Sequence, residues 1–478
     1  MISQTFRTVS RWIFIGALVY APWAYGATTS ASVRITNWLL LFTLAFWCVE
    51  LLVSGRRPQF PRPLVVLIMA LICVSGWMAL NAKSVYDSDF AAFVPLPSLA
   101  PVLPGSVDYA ISAAWTIRGA LLLGVILFVA DFSQSNRWLL RLWYVIALVG
   151  GSIACLGLLQ KATGAQMIFW LPPPPEDVRV TTFFATYYYH GNAGAFLNLV
   201  WPLTAGLVTR AFTRGFHPWM RAISTSLFVL TLAAVSANTS RMAQLVAVLM
   251  LIAICLQFGP LLLRRLSGAG TSVALAGALA IVLALIAFAH ASHFEQPLNR
   301  WQSASEHIPN DARWQASRVA MRALPDAGLF GFGPGTFRVV FPTYNASPNG
   351  NSQVSGTWRF LHEDYLQTVL EWGWIGTVLW ALLFFGAITV GIRSYKKHGR
   401  QAWRPRRRVL QPLVIIALIG TALHAVVDFP LQIESIQLYV ATYLGLCWGS
   451  TFWSDHEPRA IGQTKRSLSR YAANRTAL

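Results

Sequence analysis

Arg241 opens an apolar run in the stretch Asn238-Thr-Ser-Arg241. A guanidinium beside the exposed N–H groups of a helix N-terminus is an anion-binding arrangement. Arg179 stands just before another apolar run that begins near 190, and Arg313, Arg318 and Arg322 lie in a long polar segment. Guanidinium forks hold phosphate oxygens in pairs. His362 heads the stretch His362-Glu-Asp-Tyr-Leu-Gln-Thr-Val-Leu-Glu371-Trp-Gly373-Trp-Ile-Gly376. In the first turn of a helix the dipole favours a neutral imidazole, the form a general base needs, while Glu363 and Asp364 push the other way. Glu371 shares a helix face with Asp364 and lies about two turns inside the apolar run, where a carboxylate needs a partner. In His424-Ala-Val-Val-Asp428 the i,i+4 spacing sets both side chains on one face. Each group also has a plain structural reading: a snorkelling or loop-pairing arginine, a capping histidine, a helix-stabilising pair.

The elements that must carry these groups are membrane helices. Apolar types make up 55% of the 478 residues and charged types 12%, about half the charge of a soluble domain. Runs long enough to cross a bilayer lie near 12–28, 35–53, 63–80, 111–130, 138–160, 190–209, 222–237, 241–258, 271–290, 364–392, 410–428 and 431–453. The first has the flanks of a signal peptide, but Pro22, several aromatics and an immediate second run favour a retained helix. With a cytoplasmic N-terminus and twelve spans, most of the 37 Lys and Arg fall on the cytoplasmic side, the distribution that sets topology. The net charge of +19 is then a topology signal and an attraction to anionic membrane lipid, with no nucleic acid as partner.

Three outer segments are long: 81–110, rich in Pro and small residues; 161–189, with the run Pro172–Pro175; and 291–361, with Trp301, Trp314, Trp358 and a helical stretch near 311–324. The division that follows is 1–290 for helices one to nine, 291–361 for a periplasmic loop domain, 362–453 for helices ten to twelve and 454–478 for a basic cytoplasmic tail. The five cysteines sit in apolar runs as buried thiols. Gly331-Phe-Gly333-Pro-Gly335 reads as a turn for close backbone approach, since no βαβ pattern surrounds it. No metal-ligand spacing is present, and no cofactor is implied. Trp170, Phe183, Phe184 and Tyr187–Tyr189 form an interfacial aromatic belt or a stacking surface for sugar or isoprene.

Three segments together resemble the O-antigen ligase and polymerase superfamily of bacterial envelope glycosyltransferases, the ligases most. They are Arg179-Val-Thr-Thr-Phe-Phe with Gly191-Asn192-Ala-Gly-Ala-Phe-Leu and Trp201-Pro202; Ser240-Arg241; and Pro325-Asp-Ala-Gly-Leu-Phe-Gly-Phe-Gly-Pro-Gly-Thr-Phe337 followed by His362, Gly373 and Gly376. The ligase pattern has Asn, Ser or Gln after its histidine, where this chain has Glu363. The likeness covers roughly 170–450.

The resemblance implies a GT-C-type membrane enzyme with a periplasmic active site; with the apolar runs and the Lys and Arg distribution it gives an all-α protein of about twelve spans in the bacterial inner membrane, both termini cytoplasmic. It implies a metal-independent enzyme that takes a glycan from an undecaprenyl-pyrophosphate carrier. The acceptor is a sugar hydroxyl on lipid A-core, or a growing glycan if the enzyme is a polymerase. Arg179 and Arg241 would hold the pyrophosphate and His362 would act at the acceptor hydroxyl, with Arg313 and Arg318 as further donor-binding candidates and Asn192, Glu371, His424 and Asp428 in support. A lipid-glycan transporter is the reading from another class, and it would place charges at the midplane of the central helices.

Overall fold

The computed structural model describes residues 2–87, 89, 92–171, 182–266, 311–347, 352–399 and 403–453. The architecture is helical. Among the described residues nine helices are long and apolar enough to cross a membrane: α2 (Ser30–Ser54), α3 (Arg62–Leu80), α4 (Tyr109–Phe132), α5 (Asn136–Ala162), α6 (His190–Thr213), α7 (Pro218–Ala237), α8 (Arg241–Leu266), α12 (Asp364–Ser394) and α13 (Pro405–His424). Two more helices, α1 (Ile2–Trp23) and α14 (Glu434–Gly449), occupy the first and last expected runs. The expected run at 271–290, Arg179, Pro172–Pro175, Trp301 and the basic tail lie outside the described residues.

α1 begins earlier than its apolar run because Arg11 finds aromatic partners, resting over the rings of Phe132 and Trp138 at 5.5 and 5.3 Å. The segment after α3 departs from the all-helical expectation. Ser84–Asp87 (β1) and Ala92–Pro95 (β2) form an antiparallel hairpin that pairs Tyr86 with Phe93. Their rings meet at 5.3 Å, the cross-strand aromatic contact that stabilises such pairs.

α6 is the axis of the bundle, buried along nearly its whole length. Small residues let its neighbours approach: a side chain at Gly194 would meet Ala243 of α8, and one at Gly206 would meet Leu413 of α13 and Trp143 of α5. α6 begins, and α13 ends, at the same end of the bundle, because Gly191 lies against Asp428 just beyond α13.

The described part of the long segment folds onto that end. α9 (Ala312–Met321) fills the expected helical stretch, and α10 (Leu324–Ala327) and α11 (Phe337–Asn345) follow. Ala316, Val319, Phe337, Phe341 and Leu361 form a small core with Leu370 of α12. The glycine-rich turn enters a break in α12. At Gly373 the backbone has φ 62° and ψ −172°, a conformation open essentially to glycine. The break exposes backbone groups of α12, and the turn satisfies them. Phe332 N–H donates to Leu370 O at 2.8 Å, Gly333 N–H to Glu371 O at 3.0 Å, and Ile375 N–H to Leu329 O at 3.1 Å. The Glu371 carboxylate accepts from Gly335 N–H at 3.0 Å, Phe337 N–H at 3.2 Å and Gln367 Nε2 at 2.9 Å. A side chain at Gly373 would strike the Leu329 carbonyl, and one at Gly331 would strike that of Glu371. Gly373→Ala is therefore expected to cost about 1–3 kcal/mol of backbone strain and to lower the unfolding temperature of the detergent-solubilised protein. An unchanged melting curve would contradict this account of the break.

Candidate active site

The groups that can do chemistry gather around Asp428, at the junction of α6, α9, α12 and the turn between α13 and α14. The sequence spacing places His424 and Asp428 on one helical span, but α13 ends at His424 and Asp428 stands in the turn before Pro430. The turn is fixed by Asp364, the first residue of α12. Its N–H donates to Ala425 O at 3.0 Å. Its carboxylate accepts from Leu431 N–H at 2.9 Å and Gln432 Nε2 at 2.8 Å. Asp364 thus ties the Asp428 turn to the helix that His362 precedes. Glu363 caps that helix, its carboxylate accepting from Leu366 N–H at 3.1 and 3.0 Å. Burial pushes its pKa up, against the hydrogen bonds from Leu366 and Tyr365 that lower it. Asn, Ser and Gln in the ligase pattern are side chains that can accept the same bond, so the departure at Glu363 keeps a capping acceptor.

His362 Nδ1 lies 3.0 Å from Asp428 Oδ1. An ionised carboxylate there selects the tautomer with hydrogen on Nδ1, which leaves the Nε2 lone pair for an incoming proton. No hydrogen bond engages Nε2 among the described residues. The ring is packed edge-on against Phe429 at 4.7 Å, Tyr189 at 5.8 Å and Trp358 at 5.8 Å. Tyr189 in turn stacks on Phe429 at 5.4 Å. The imidazole is therefore fixed by an aromatic wall on one side and a carboxylate on the other, yet remains partly exposed.

The remaining valences of Asp428 are taken up closely. Tyr189 OH donates to Oδ2 at 3.1 Å, Phe429 N–H donates to Oδ1 at 3.1 Å, and His424 Nε2 lies 3.7 Å from Oδ2. Arg313 of α9 donates from Nη2 to Tyr189 OH at 2.8 Å. Burial opposes ionisation of Asp428, but the hydrogen bond to His362 and the nearness of His362 and His424, cationic when protonated, outweigh it and hold the carboxyl well below the usual range. Burial and the Asp428 charge push the Tyr189 phenol up, so it stays a donor. Burial also works against the Arg313 cation, and Tyr189, Asp428 and Asp311 more than restore it. Gly191 is part of the same construction, because a Cβ there would overlap Asp428 Oδ2 and the Tyr189 ring.

Arg241 opens α8 at this end. Asn238 just before it donates from Nδ2 to His190 O at 2.9 Å, and Ser240 N–H donates back to Asn238 Oδ1 at 2.8 Å. Those bonds fasten the α8 N-terminus to the residue after Tyr189. Asn192 is buried beneath, its N–H donating to Tyr189 O at 3.1 Å. Arg318 is not brought to the cluster: it is exposed on α9. Five residues of helix turn it about 140° from Arg313. Arg322 is held by Gln353 instead. Glu371 works on the glycine-rich turn and not at the imidazole. Tyr189 and Phe429 were not distinguished by sequence; the signal for Tyr189 was its place directly before His190-Gly191-Asn192, where a tight packing glycine follows an aromatic.

An O-antigen ligase family model matches residues 226–381, about a third of the chain. The matched span holds Arg241, Arg313, the glycine-rich turn, His362 and Gly373, while Tyr189 and Asp428 fall outside it. The family is the one the sequence motifs resemble. No curated protein matches the chain. The family match supports a glycosyltransferase-type role in O-antigen processing, and with the apolar helices it fits a bacterial membrane protein.

Asp428→Asn should release the tautomer of His362 and lower any glycan transfer that uses that imidazole by a factor on the order of 10²–10⁴. Undiminished transfer by a folded Asp428→Asn protein would remove Asp428 from that role. Gly191→Ala should lower transfer too, with its melting temperature reporting any general damage.

Proposed function

We propose that the chain is an inverting, metal-independent glycosyltransferase that moves a glycan from an undecaprenyl-pyrophosphate carrier to a sugar hydroxyl at the periplasmic face. We take the acceptor to be lipid A-core, the ligase reaction. The observation that carries the reading is the imidazole of His362, held by an ionised Asp428 at 3.0 Å at the same end of the bundle as Arg241 and Arg313.

The acceptor O–H gives its proton to His362 Nε2 as its oxygen bonds to the anomeric carbon. The bond from that carbon to the diphosphate oxygen breaks, and the diphosphate departs with the electron pair from the opposite face. Asp428 stabilises the imidazolium that forms, and general-base help of this kind is worth about 10²–10⁴ in rate. Arg241, with Arg179 in the preceding segment, receives the charge that grows on the leaving diphosphate. Arg313 has a second duty, since its bond to Tyr189 also keeps the aromatic wall in register.

A lipid-borne donor also has room beside the site. A cavity of about 220 Å³ between α4, α12 and α14 has Asp364 in its wall and Trp115, Leu122, Trp372, Phe384 and Leu444 among its apolar lining. The polymerase reading uses the same donor and differs only in the acceptor. Glycan profiles of a deletion strain separate the two: free polymer on the carrier marks loss of a ligase, single repeats on lipid A-core loss of a polymerase.

Purified protein with a polyprenyl-pyrophosphate glycan and lipid A-core is expected to transfer glycan in the presence of chelator. His362→Ala should abolish this, and both Arg241→Ala and Arg241→Lys should impair it, because an ammonium cannot supply paired donors. Full transfer by His362→Ala would end the base assignment, and full transfer by Arg241→Lys would reduce Arg241 to a point charge.

A further inference from the structure

A second charged cavity lies at the far end of the bundle. α6 and α13 both start or finish at the Asp428 site, and they are 24 and 20 residues long. At 1.5 Å per residue their other ends are about 30–36 Å away, one bilayer thickness. There a cavity of about 290 Å³ is lined by Arg210, Arg214, Phe216, Arg404, Pro405 and Arg406. Four arginines line one space, and no carboxylate is among the described residues lining it.

The cluster is built, not incidental. Arg210 leaves the last turn of α6 and rests over the Phe216 ring at 5.2 Å. Tyr144 hydrogen-bonds the same guanidinium, but Nη1 is buried and makes no hydrogen bond. Phe216 is brought back by a turn at Gly215, φ 64°, in which Phe216 N–H donates to Ala211 O at 3.1 Å. Arg406 is tethered by Nη1 to Asn136 O at 3.1 Å. The cavity also borders the N-terminus of α13, which has neither an acidic first turn nor a side-chain cap. A helix N-terminus adds positive potential. Arg406 and Arg214 lie close enough to repel the Arg210 cation, and a bound anion eases that repulsion and gives the buried Nη1 an acceptor.

We propose that this cavity binds a phosphate group, the chemistry shared by the headgroup of an anionic phospholipid in the leaflet at that end and by free phosphate. Basic pockets between membrane helices take phospholipid headgroups by this means. The site lies a bilayer away from the transfer chemistry, so it is independent of the function proposed above.

The test uses the full chain in neutral detergent. Thermal unfolding and native mass spectrometry are followed with phosphatidylglycerol, with phosphatidylcholine and with inorganic phosphate. Phosphatidylglycerol is expected to stay bound and raise the melting temperature of the wild type, and phosphatidylcholine is expected to do neither. Arg210→Gln with Arg214→Gln should lose that response while keeping glycan transfer. Stabilisation by inorganic phosphate that the double variant also loses would identify free phosphate as the source. If the double variant does not fold, Arg214→Gln alone, at an exposed residue, should weaken phosphatidylglycerol retention severalfold. Equal responses of wild type and variant to both phosphate compounds, or no response in either, would overturn the proposal.

Discussion

A carboxylate shielded from solvent sits at the centre of the proposed active site. Asp428 is buried, and an isolated charge in such a place is costly. It is tolerable because His362, Tyr189, the Phe429 amide and His424 surround it. Every one of those groups comes from a different stretch of chain from the others or from a constrained turn, so satisfying one carboxylate forces α6, α12 and the α13–α14 turn into a single arrangement. The same bonds orient an imidazole with one nitrogen committed and the other available. Stability and the proposed chemistry thus rest on one set of contacts, and the stability part has a definite sign. The folded-state pKa of Asp428 is depressed, so its contribution is present above the ordinary carboxylate range and is lost as pH falls toward the depressed value.

Two further devices hold that arrangement against the bilayer. Asp364 ties the Asp428 turn to the start of α12, and the broken turn at Gly373 receives the glycine-rich segment that follows α10. A helix that loses backbone bonds inside a membrane must find other partners. Here the partners come from the polar segment outside, so the loop carrying Arg313 is locked to a membrane helix by backbone hydrogen bonds. Glu371, whose carbonyl is part of that lock, also accepts the loop's own amides with its carboxylate.

Much of this was legible beforehand. Apolar run lengths located the helices, since the bilayer imposes that length. His362, Arg241, Arg313, Glu371 and Asp428 could be singled out because ionisable groups at a membrane edge are few and need a reason. The glycines of Gly331–Gly335 announced a close approach, although only the fold reveals that they approach the break at Gly373. What the sequence left open were pairings across long separations. Tyr189 reads as one aromatic in an interfacial belt until Arg313 and Asp428 are seen on its hydroxyl. Arg318 reads like Arg313 until the helical phase of α9 turns it away. His424 and Asp428 read as one helical face until the helix ends between them. The hairpin at 84–95 was hidden by proline-rich composition.

In the proposed reaction a diphosphate leaves on the Nε2 side of His362, the side that Asp428 does not occupy. A structure of the full chain in lipid nanodiscs with a bound polyprenyl diphosphate tests it most directly. Diphosphate density is expected within hydrogen-bond reach of Arg241, on the Nε2 side of His362. Density at any other end of the bundle, or on the Nδ1 side with no arginine in contact, would contradict it.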